Sequence, residues 1–347
     1  MNTPRIGNQF PPRENDSNAF DEALVSFPFL VSQKRYRLSV APTERRRHGV
    51  VRNELRSKKL GNGSQTLIMK KTLLTLAILA VAVAGANAQT VVFSDNFNRA
   101  DSSTVGNNWV ETAGFGDASI ATNKLQIVGT GSSGRTYVTQ AMSNFSSPWN
   151  STLSSNSGLV SWSFNMQSDR DELSGFGSGN YGIAFTLAAT SADLLSGNGY
   201  AVVWGQTGAL DPVRLVQYAG GLDLNSNVTD IIAGTGSPFS DMGTNYLSVQ
   251  VTYAPTTNTW ELFLRDDGSS AFADPLTGSL TSQGSLVDST YTSSAMTSIG
   301  ALWNHGTATS DITQFDNVVV SVVPEPTTCV LFGAGALFWV LRRRRTA

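Results

Sequence analysis

Apolar residues in the central part of the chain recur mostly at every second position. The clearest case is the stretch 246–253 (YLSVQVTY), in which Leu, Val, Val and Tyr alternate with Ser, Gln and Thr. Such alternation is the pattern of a strand with one buried face. After a turn at 254–258 (APTTN), the stretch 259–265 (TWELFLR) repeats the pattern with Trp260, Leu262 and Leu264. We therefore predict a β-hairpin with a loop of about five residues.

The same period of two predicts further short strands between Gln89 and Val322. The best candidate for a helix in this region is a short segment at 191–195. Many short strands separated by Gly, Asn and Asp turns, without intervening helices, are typical of antiparallel sandwiches and barrels. The predicted fold class is therefore all-β, an antiparallel sandwich or barrel formed by one domain at 89–322. The further strands are predicted at 124–128, 136–139, 158–166, 181–188, 200–205, 213–218, 228–232, 298–303 and 314–322.

A segment ahead of this domain has the three parts of a secretory signal peptide. Two lysines follow Met69, an apolar run occupies 72–85, and the small residues Ala86 and Ala88 mark a cleavage site. The segment 69–88 is therefore predicted to direct export through the Sec translocon, with Gln89 as the first mature residue. Because a signal peptide begins a chain, translation is expected to start at Met69.

Residues 1–68 are then interpreted as a mis-called upstream extension without a fixed structure. They hold 12 basic and six acidic side chains and no sustained apolar period. The alternative is a genuine basic arm that binds nucleic acid. An arm ahead of a signal peptide, however, would stay in the wrong compartment.

The predicted domain is acidic. It holds six basic and 19 acidic side chains between residues 89 and 322, a net charge of −13. Since nucleic-acid binding depends on Lys and Arg to neutralise phosphates, the domain is not expected to bind nucleic acid. The charge suits an exported protein or one that binds divalent cations. The single cysteine, Cys329, lies outside the domain, so the fold is expected to hold without disulfides.

The segment 323–347 has three parts in a fixed order. An apolar run at 328–341 lies between a Pro-Glu-Pro motif and an arginine cluster, namely Pro324, Glu325 and Pro326 before it and Arg342, Arg343, Arg344 and Arg345 after it. The run is near the short limit for a transmembrane helix, and the arginines would hold its end on the cytoplasmic side of the membrane. The alternative is a buried C-terminal core helix with a solvated basic cap.

This order resembles the PEP-CTERM sorting signal of bacteria that make extracellular polysaccharide. The resemblance implies that a membrane-embedded exosortase recognises the tail, cuts near the Pro-Glu-Pro motif and releases the protein. The expected location is therefore an intermediate anchored in the inner membrane, followed by the cell surface or the extracellular matrix.

The two ends of the domain carry a second resemblance. The stretch 93–99 (FSDNFNR) and the stretch 315–320 (FDNVVV) resemble the first and last strands of concanavalin A-like (laminin G-like) jelly rolls. The resemblance implies an antiparallel β-sandwich of the jelly-roll type over about 91–322, in which these two strands pair. It also implies that Asp95 and Asp316 hold a structural Ca²⁺ near them. The alternative is that both aspartates only cap turns by bonding backbone amides.

No catalytic residues are predicted. Laminarinase-type glycoside hydrolases on this fold use paired carboxylates in a Glu-x-Asp-x-x-Glu strand, a pattern that the sequence lacks. The glutamates of the domain are Glu111, Glu172 and Glu261, and the acidic cluster at 169–172 is interpreted as a solvated turn. The domain has one histidine, His305, which is interpreted as a turn residue because zinc sites need several Cys or His ligands.

The tryptophans are the remaining candidates for ligand contacts. Sugar sites on such sandwiches use aromatic rings with amide and carboxylate partners, but most Trp and Tyr residues fall at inward positions of the predicted strands, where core packing is their expected role. Trp149 differs because it lies in the loop 147–150 (SPWN). It is therefore predicted to face solvent and to contact a ligand.

These observations lead to one main functional hypothesis and two alternatives. The main hypothesis is an exported, surface-sorted, non-catalytic protein with a structural or adhesive role in an extracellular polysaccharide matrix, where it binds glycan. The first alternative is a polysaccharide-active hydrolase or lyase on the same fold. The second is a surface protein without a ligand.

Overall fold

The computed structural model describes residues 89–112, 114–308 and 311–324. The predicted upstream extension, the signal peptide with Ala86 and Ala88, and the sorting tail beyond Pro324 lie outside the described residues. Within these ranges, no helix has the length and apolar character needed to cross a membrane.

Fifteen strands and three short 3-10 helices occur in the described part of the chain. The helices are Met142–Asn144, Leu153–Ser155 and Asn225–Asn227. The strands are β1 (Thr90–Asp95), β2 (Trp109–Thr112), β3 (Gly116–Ala121), β4 (Lys124–Gly129), β5 (Gly134–Ala141), β6 (Gly158–Ser168), β7 (Gly182–Ala189), β8 (Asn198–Trp204), β9 (Val213–Ala219), β10 (Val228–Ala233), β11 (Tyr246–Ala254), β12 (Thr259–Gly268), β13 (Thr281–Val287), β14 (Ser298–His305) and β15 (Ile312–Pro324).

The strands form two antiparallel sheets that pack face to face. The first sheet has the order β13-β12-β11-β6-β15-β4-β3, with β1 also paired to β15, and the second has the order β10-β9-β8-β7-β14-β5-β2. In the pair of β1 and β15, Thr90 lies opposite Val322 and Asp95 lies opposite Val318. The predicted fold class, an antiparallel jelly-roll sandwich, and the expected pairing of its first and last strands are therefore confirmed.

The strands predicted from periodicity are all present, with ends that differ by at most three residues. The first strand, expected from the resemblance at 93–99, is β1, which already ends at Asp95. Three strands were not predicted, and each lacks a clear apolar alternation. β13 is exposed along nearly its whole length, β2 has only four residues, and β3 begins with the small or polar sequence Gly-Asp-Ala-Ser. Periodicity detects a strand only where one face is buried, so β13 gave no signal. β3 does bury alternate residues, but the first of these are the small Gly116 and Ala118, which do not stand out in the sequence.

The short helix predicted at 191–195 is wrong. This segment is a succession of bends and a turn in the loop between β7 and β8. Ser191 Oγ accepts a hydrogen bond from the backbone N–H of Asp193 (3.1 Å), and Asp193 Oδ1 accepts one from the N–H of Leu195 (3.0 Å). Local bonds from side chain to backbone of this kind compete with a helix.

The main core lies between the two sheets. In the predicted hairpin, Trp260, Leu262 and Leu264 are all fully buried, as their alternation indicated. Trp260 stacks on Trp162 with ring centroids 5.9 Å apart. Among the described residues, this core runs from Val92 to Val322. Residues 89–324 are therefore expected to fold as an autonomous domain.

A second apolar cluster covers the outer face of the second sheet. Phe176, Leu194 and Leu222, from three different loops, are buried against strand residues that point away from the main core. The loops are tied to one another, since the N–H of Leu222 donates to the carbonyl of Leu194 (2.9 Å). Asn304 Nδ2 in β14 also lies within hydrogen-bond distance of three loop carbonyl groups. Most of this face is therefore closed to ligands.

Candidate functional site

Asp95 lies at the end of β1, where the chain turns into the core. Its Oδ1 accepts a hydrogen bond from the backbone N–H of Phe97 (2.8 Å). Phe97 has a left-handed φ of 47° and a fully buried ring, a backbone conformation that non-glycine residues rarely adopt. The Asp95 carboxylate thus caps the turn that directs this ring into the core.

The same carboxylate is ion-paired with Arg99. Arg99 Nη1 donates to Oδ1 (2.8 Å) and Nη2 to Oδ2 (3.2 Å), and Oδ2 also accepts from Asn107 Nδ2 (2.9 Å) and Trp109 Nε1 (2.9 Å). Burial alone would raise the pKa of Asp95, but these bonds together outweigh burial and hold the pKa below its ordinary value. The guanidinium group therefore occupies the position at Asp95 that a bound cation would take.

Asp316 lies close by in β15, and within the described residues no ion pair joins it to a basic side chain. Its Oδ1 accepts the backbone N–H of Asn317 (2.8 Å). Burial raises the pKa of Asp316 to about 6; the charge of Asp95 adds to the rise, whereas the Asn317 bond and Lys124 oppose it. A carboxylate in this setting is costly to keep charged.

The contacts of Asp95 favour turn capping, which the sequence left as the alternative to a role as calcium ligand. Calcium takes six to eight oxygen ligands, whereas the Asp95 oxygens are already bonded to five donors. Within the described ranges, no group of three His, Cys, Asp or Glu residues is placed to hold a metal ion. Calcium binding stays a prediction from the resemblance, to be tested by chelation.

A cleft of about 440 Å³ opens beside this turn, and we call it the terminal-strand cleft. Asn96, Asn107 and Asp274 are exposed at its surface, and Leu276 is 49% exposed. The cleft thus combines amide and carboxylate groups with one exposed aliphatic side chain. Its lining residues are Ser94, Asp95, Asn96, Arg99, Asn107, Asp274, Leu276, Asn317, Val318 and Val319.

One wall of the cleft is the loop after β12, which a buried polar network fixes to the first sheet. The side chain of Asp267 is only 1% exposed. Its Oδ2 accepts from Ser248 Oγ (2.7 Å) and from the N–H of Ala273 (3.0 Å), and its Oδ1 accepts from Arg265 Nε (2.6 Å). Because Asp267 is held to β11 and also to the loop, Asp274 and Leu276 are kept in place at the cleft.

The opposite wall of the cleft includes Asn317 of β15. Asn165 of β6 connects this wall to the network around Asp267. Asn165 Nδ2 donates to Ser248 Oγ (2.9 Å), and Asn165 Oδ1 accepts from Asn317 Nδ2 (2.9 Å). Asn317 has a φ of 50° and lies where the register between β15 and β6 shifts. A bulge of this kind turns a side chain out of the strand's regular alternation. Both walls of the cleft are therefore preorganised by one fully buried asparagine.

Trp149 does not face solvent freely, so its predicted exposure is wrong. The ring is half-buried and packs edge-on against Phe145 (5.2 Å between centroids) and Trp162 (6.4 Å). Its Nε1 is buried and has no hydrogen-bond partner among the described residues. Contact with a ligand stays a prediction for this residue.

The other residues singled out from the sequence also lie apart from the cleft. His305 is fully buried, and burial lowers its pKa; its Nε2 lies 3.3 Å from Thr136 Oγ1. In the acidic cluster, Asp169 Oδ1 accepts the N–H of Ile312 (2.6 Å) and Arg170 pairs with Asp311 (3.0 Å). The contacts of Asp169 and Arg170 are those of a turn that is bonded to the start of β15.

The quoted terminal stretches supply seven of the ten lining residues, but sequence reasoning did not predict a cleft there. Arg99 and Asn317 are part of those stretches. Nothing in the sequence indicated that Arg99 pairs with Asp95 or that Asn317 bonds Asn165. Asp274 and Leu276 lie in a loop without periodicity, so no sequence signal connected them with the chain ends.

The fold and site define the class of this protein. The two-sheet sandwich closed by its first and last strands has a concanavalin A-like jelly-roll fold, here with a polar terminal-strand cleft. A family model described as the PEP-CTERM protein-sorting motif matches residues 322–345. The motif implies export, exosortase-mediated sorting and a membrane-anchored intermediate before release. No curated protein matches the sequence significantly.

Similar solved structures include a phage module and plant lectins. The CBM2 module of the evolved Dit of Lactobacillus casei BL23 phage J-1 has a TM-score of 0.45 and 9% identity, covering 69% of this chain and 98% of that chain. Metal-free lectin I-B4 from Griffonia simplicifolia has a TM-score of 0.43 and 12% identity, covering 66% and 98%. Lectin II from Ulex europaeus has a TM-score of 0.43 and 14% identity, covering 69% and 100%.

Proposed function

We propose that this exported, exosortase-sorted protein binds a neutral, hydroxyl-rich glycan in the terminal-strand cleft without turning it over. It thereby serves as a structural or adhesive component of an extracellular polysaccharide matrix. The observation that supports this proposal best is the preorganised cleft, in which exposed amides and a carboxylate surround an exposed leucine.

The chemistry of the cleft suits sugar hydroxyls. The amides of Asn96 and Asn107 offer donors and acceptors, and Asp274 offers an acceptor. Leu276 gives an aliphatic surface on which the C–H face of a sugar ring can pack. Since Arg99 is already neutralised by Asp95, the charge left over is that of Asp274, which disfavours anionic glycans.

Lack of turnover is proposed because the cleft does not present a working pair of carboxyl groups. Glycoside hydrolysis uses one group as acid and another as base or nucleophile on the two sides of the scissile bond. Asp95 is bonded to five donors, which leaves Asp274, whose Oδ1 accepts the N–H of Leu276 (2.8 Å), as the second carboxylate among the described lining residues. Glu111 bonds the N–H of Val105 (2.6 Å) and Glu261 bonds Thr252 Oγ1 (3.2 Å), both outside the cleft.

The test is binding of residues 89–324 to a glycan array, with Leu276→Ala and Asn96→Ala as cleft variants. Leu224→Ala is the matched control, since Leu224 is 47% exposed and does not line the cleft. We expect the cleft variants to lose at least about tenfold in affinity and the control to bind normally.

Three outcomes would contradict the proposal. Binding that is unchanged in both cleft variants removes the cleft as the site, and no binding to any glycan removes the function. A reducing-sugar assay on the bound glycans covers the third outcome, because release of reducing ends would show an enzyme instead.

A further inference from the structure

One part of the outer face of the second sheet is left open by the covering loops. Phe176, Leu194 and Leu222 close the middle of this face. Beside the edge strand β2, however, a groove of about 270 Å³ remains between the sheet and the loop that follows β7. We call it the β2 groove.

The floor of the β2 groove is made of hydroxyl-bearing residues that point away from the main core. Tyr137 and Thr139 flank Val138, which is buried in the core between the sheets, so side-chain alternation places both on the outer face. Thr112 of β2 lies directly opposite Tyr137 in the ladder. The rim carries Val110, which is 60% exposed.

The groove also holds a fixed carboxylate. Tyr137 Oη donates to Asp193 Oδ1 (2.7 Å), and the same oxygen accepts the N–H of Leu195 (3.0 Å). The Tyr137 bond is the main cause that lowers the pKa of Asp193, so the group is charged at neutral pH. Asp193 is exposed, and none of the described lining residues is basic.

This composition selects the class of ligand. A groove with one carboxylate and no cation repels anions, whereas its hydroxyls and carboxylate can bond the hydroxyls of a neutral sugar. The exposed Val110 offers the aliphatic side on which a sugar ring packs. The volume is of the order of a single sugar residue, smaller than the terminal-strand cleft.

We propose that the β2 groove is a second site for a neutral glycan, and that the protein uses its two sites to bridge separate glycan chains. The choice of ligand class rests on the proposed function. Bridging follows from geometry, because the terminal-strand cleft borders β1 and β15 of the first sheet and the groove borders β2, β5 and β14 of the second. The two sites therefore border different sheets, and each can hold its own glycan chain.

The experiment measures stoichiometry and bridging with residues 89–324. Calorimetric titration with oligosaccharides of dextran, mannan and galactan gives the number of sites, and turbidity with the corresponding polysaccharides reports bridging. The groove variant is Val110→Lys, with Val287→Lys as its control, since Val287 is a 65% exposed valine on the edge strand β13. Leu276→Ala removes the cleft site. Circular dichroism confirms that each variant is folded.

We expect two sites and turbidity for the unaltered protein and for Val287→Lys. Val110→Lys and Leu276→Ala should each bind one equivalent and give no turbidity. A single site that is insensitive to Val110→Lys overturns the second site and leaves the proposed function intact. A single site that is lost in Val110→Lys and insensitive to Leu276→Ala overturns both bridging and the cleft assignment. No binding to any of the three glycans overturns the proposed function and this inference together.

Discussion

Replacement of Asp316 by Asn is expected to stabilise the sandwich at neutral pH. Burial raises the pKa of this carboxyl from 3.8 to about 6, so the native state binds a proton more tightly than the unfolded chain does. Stability due to this group is therefore fully present below pH 3.8 and is lost as the pH rises through about 6. Above that range the native protein holds an unfavourable charge, which the isosteric amide removes while it still accepts the Asn317 N–H.

The size of the effect follows from the shift. A rise of about two pKa units corresponds at most to about 3 kcal/mol. Because the side chain is partly exposed, solvent screening reduces the expected gain to about 1–2 kcal/mol. For a domain of this length, that gain raises the melting temperature by about 3–6 °C.

The assay is thermal unfolding of residues 89–324 at several pH values between 4 and 8, in chelator. The difference between Asp316→Asn and the unaltered protein should be small at pH 4 and reach its full value by about pH 7.5. Asp117→Asn, at an exposed position in β3 of the same sheet, is the control and should show little change. A difference that does not vary with pH, or a loss of stability in Asp316→Asn at pH 7.5, would refute the reasoning.

Four further predictions concern other parts of the molecule. Arg99→Met leaves the buried Asp95 carboxylate without its ion partner and should cost about 2–3 kcal/mol in urea unfolding; a cost below about 0.5 kcal/mol would contradict this. Asp267→Ala should release the loop after β12 and speed limited proteolysis at 269–280, and an unchanged cleavage pattern would show that the loop is held otherwise. Removal of calcium by chelator should leave the melting temperature unchanged if Asp95 and Asp316 only cap turns, whereas a clear fall would establish a calcium site. Burial lowers the pKa of His305. The stability that this group contributes is therefore present above its unfolded pKa of 6.5 and is lost as the pH falls through the folded value. His305→Gln should reduce the fall in melting temperature between pH 7 and 5, and an unchanged fall would contradict this.

The fold could be predicted from the sequence wherever burial acts on alternate residues. Val249 and Trp260 are on the inner face because a strand between two packed sheets must present apolar side chains on one side. The same reasoning fails for β13, because an exposed edge strand is under no such constraint. It also fails for the outer cluster around Phe176. Periodicity indicates that a residue is buried, but it does not indicate which face of a sheet the residue packs against.

The candidate site could be predicted only in part. Asp95 and Asp316 were placed near each other because the first and last strands were expected to pair, and that pairing is present. Their charge states differ because Asp95 bonds Arg99 and Trp109, both within 14 residues of it, whereas Asp316 is partly buried without an ion pair among the described residues. Trp149 illustrates the converse error, since a proline-containing loop indicated exposure while Phe145 and Trp162 enclose the ring.

The terminal-strand cleft depends on the closure of the chain more than on any local motif. Asn96 comes from the start of the domain, Asn317 from its last strand, and Asp274 from a loop between them. Asn165 in the middle strand β6 bonds Asn317 directly and, through Ser248 and Asp267, holds the loop wall. A change that loosens the pairing of β1 and β15 must therefore separate groups that contribute to binding, even when no cleft residue is altered. Ligand binding at this site and the stability of the sandwich are thus expected to be coupled, because a ligand that binds only the closed arrangement stabilises it.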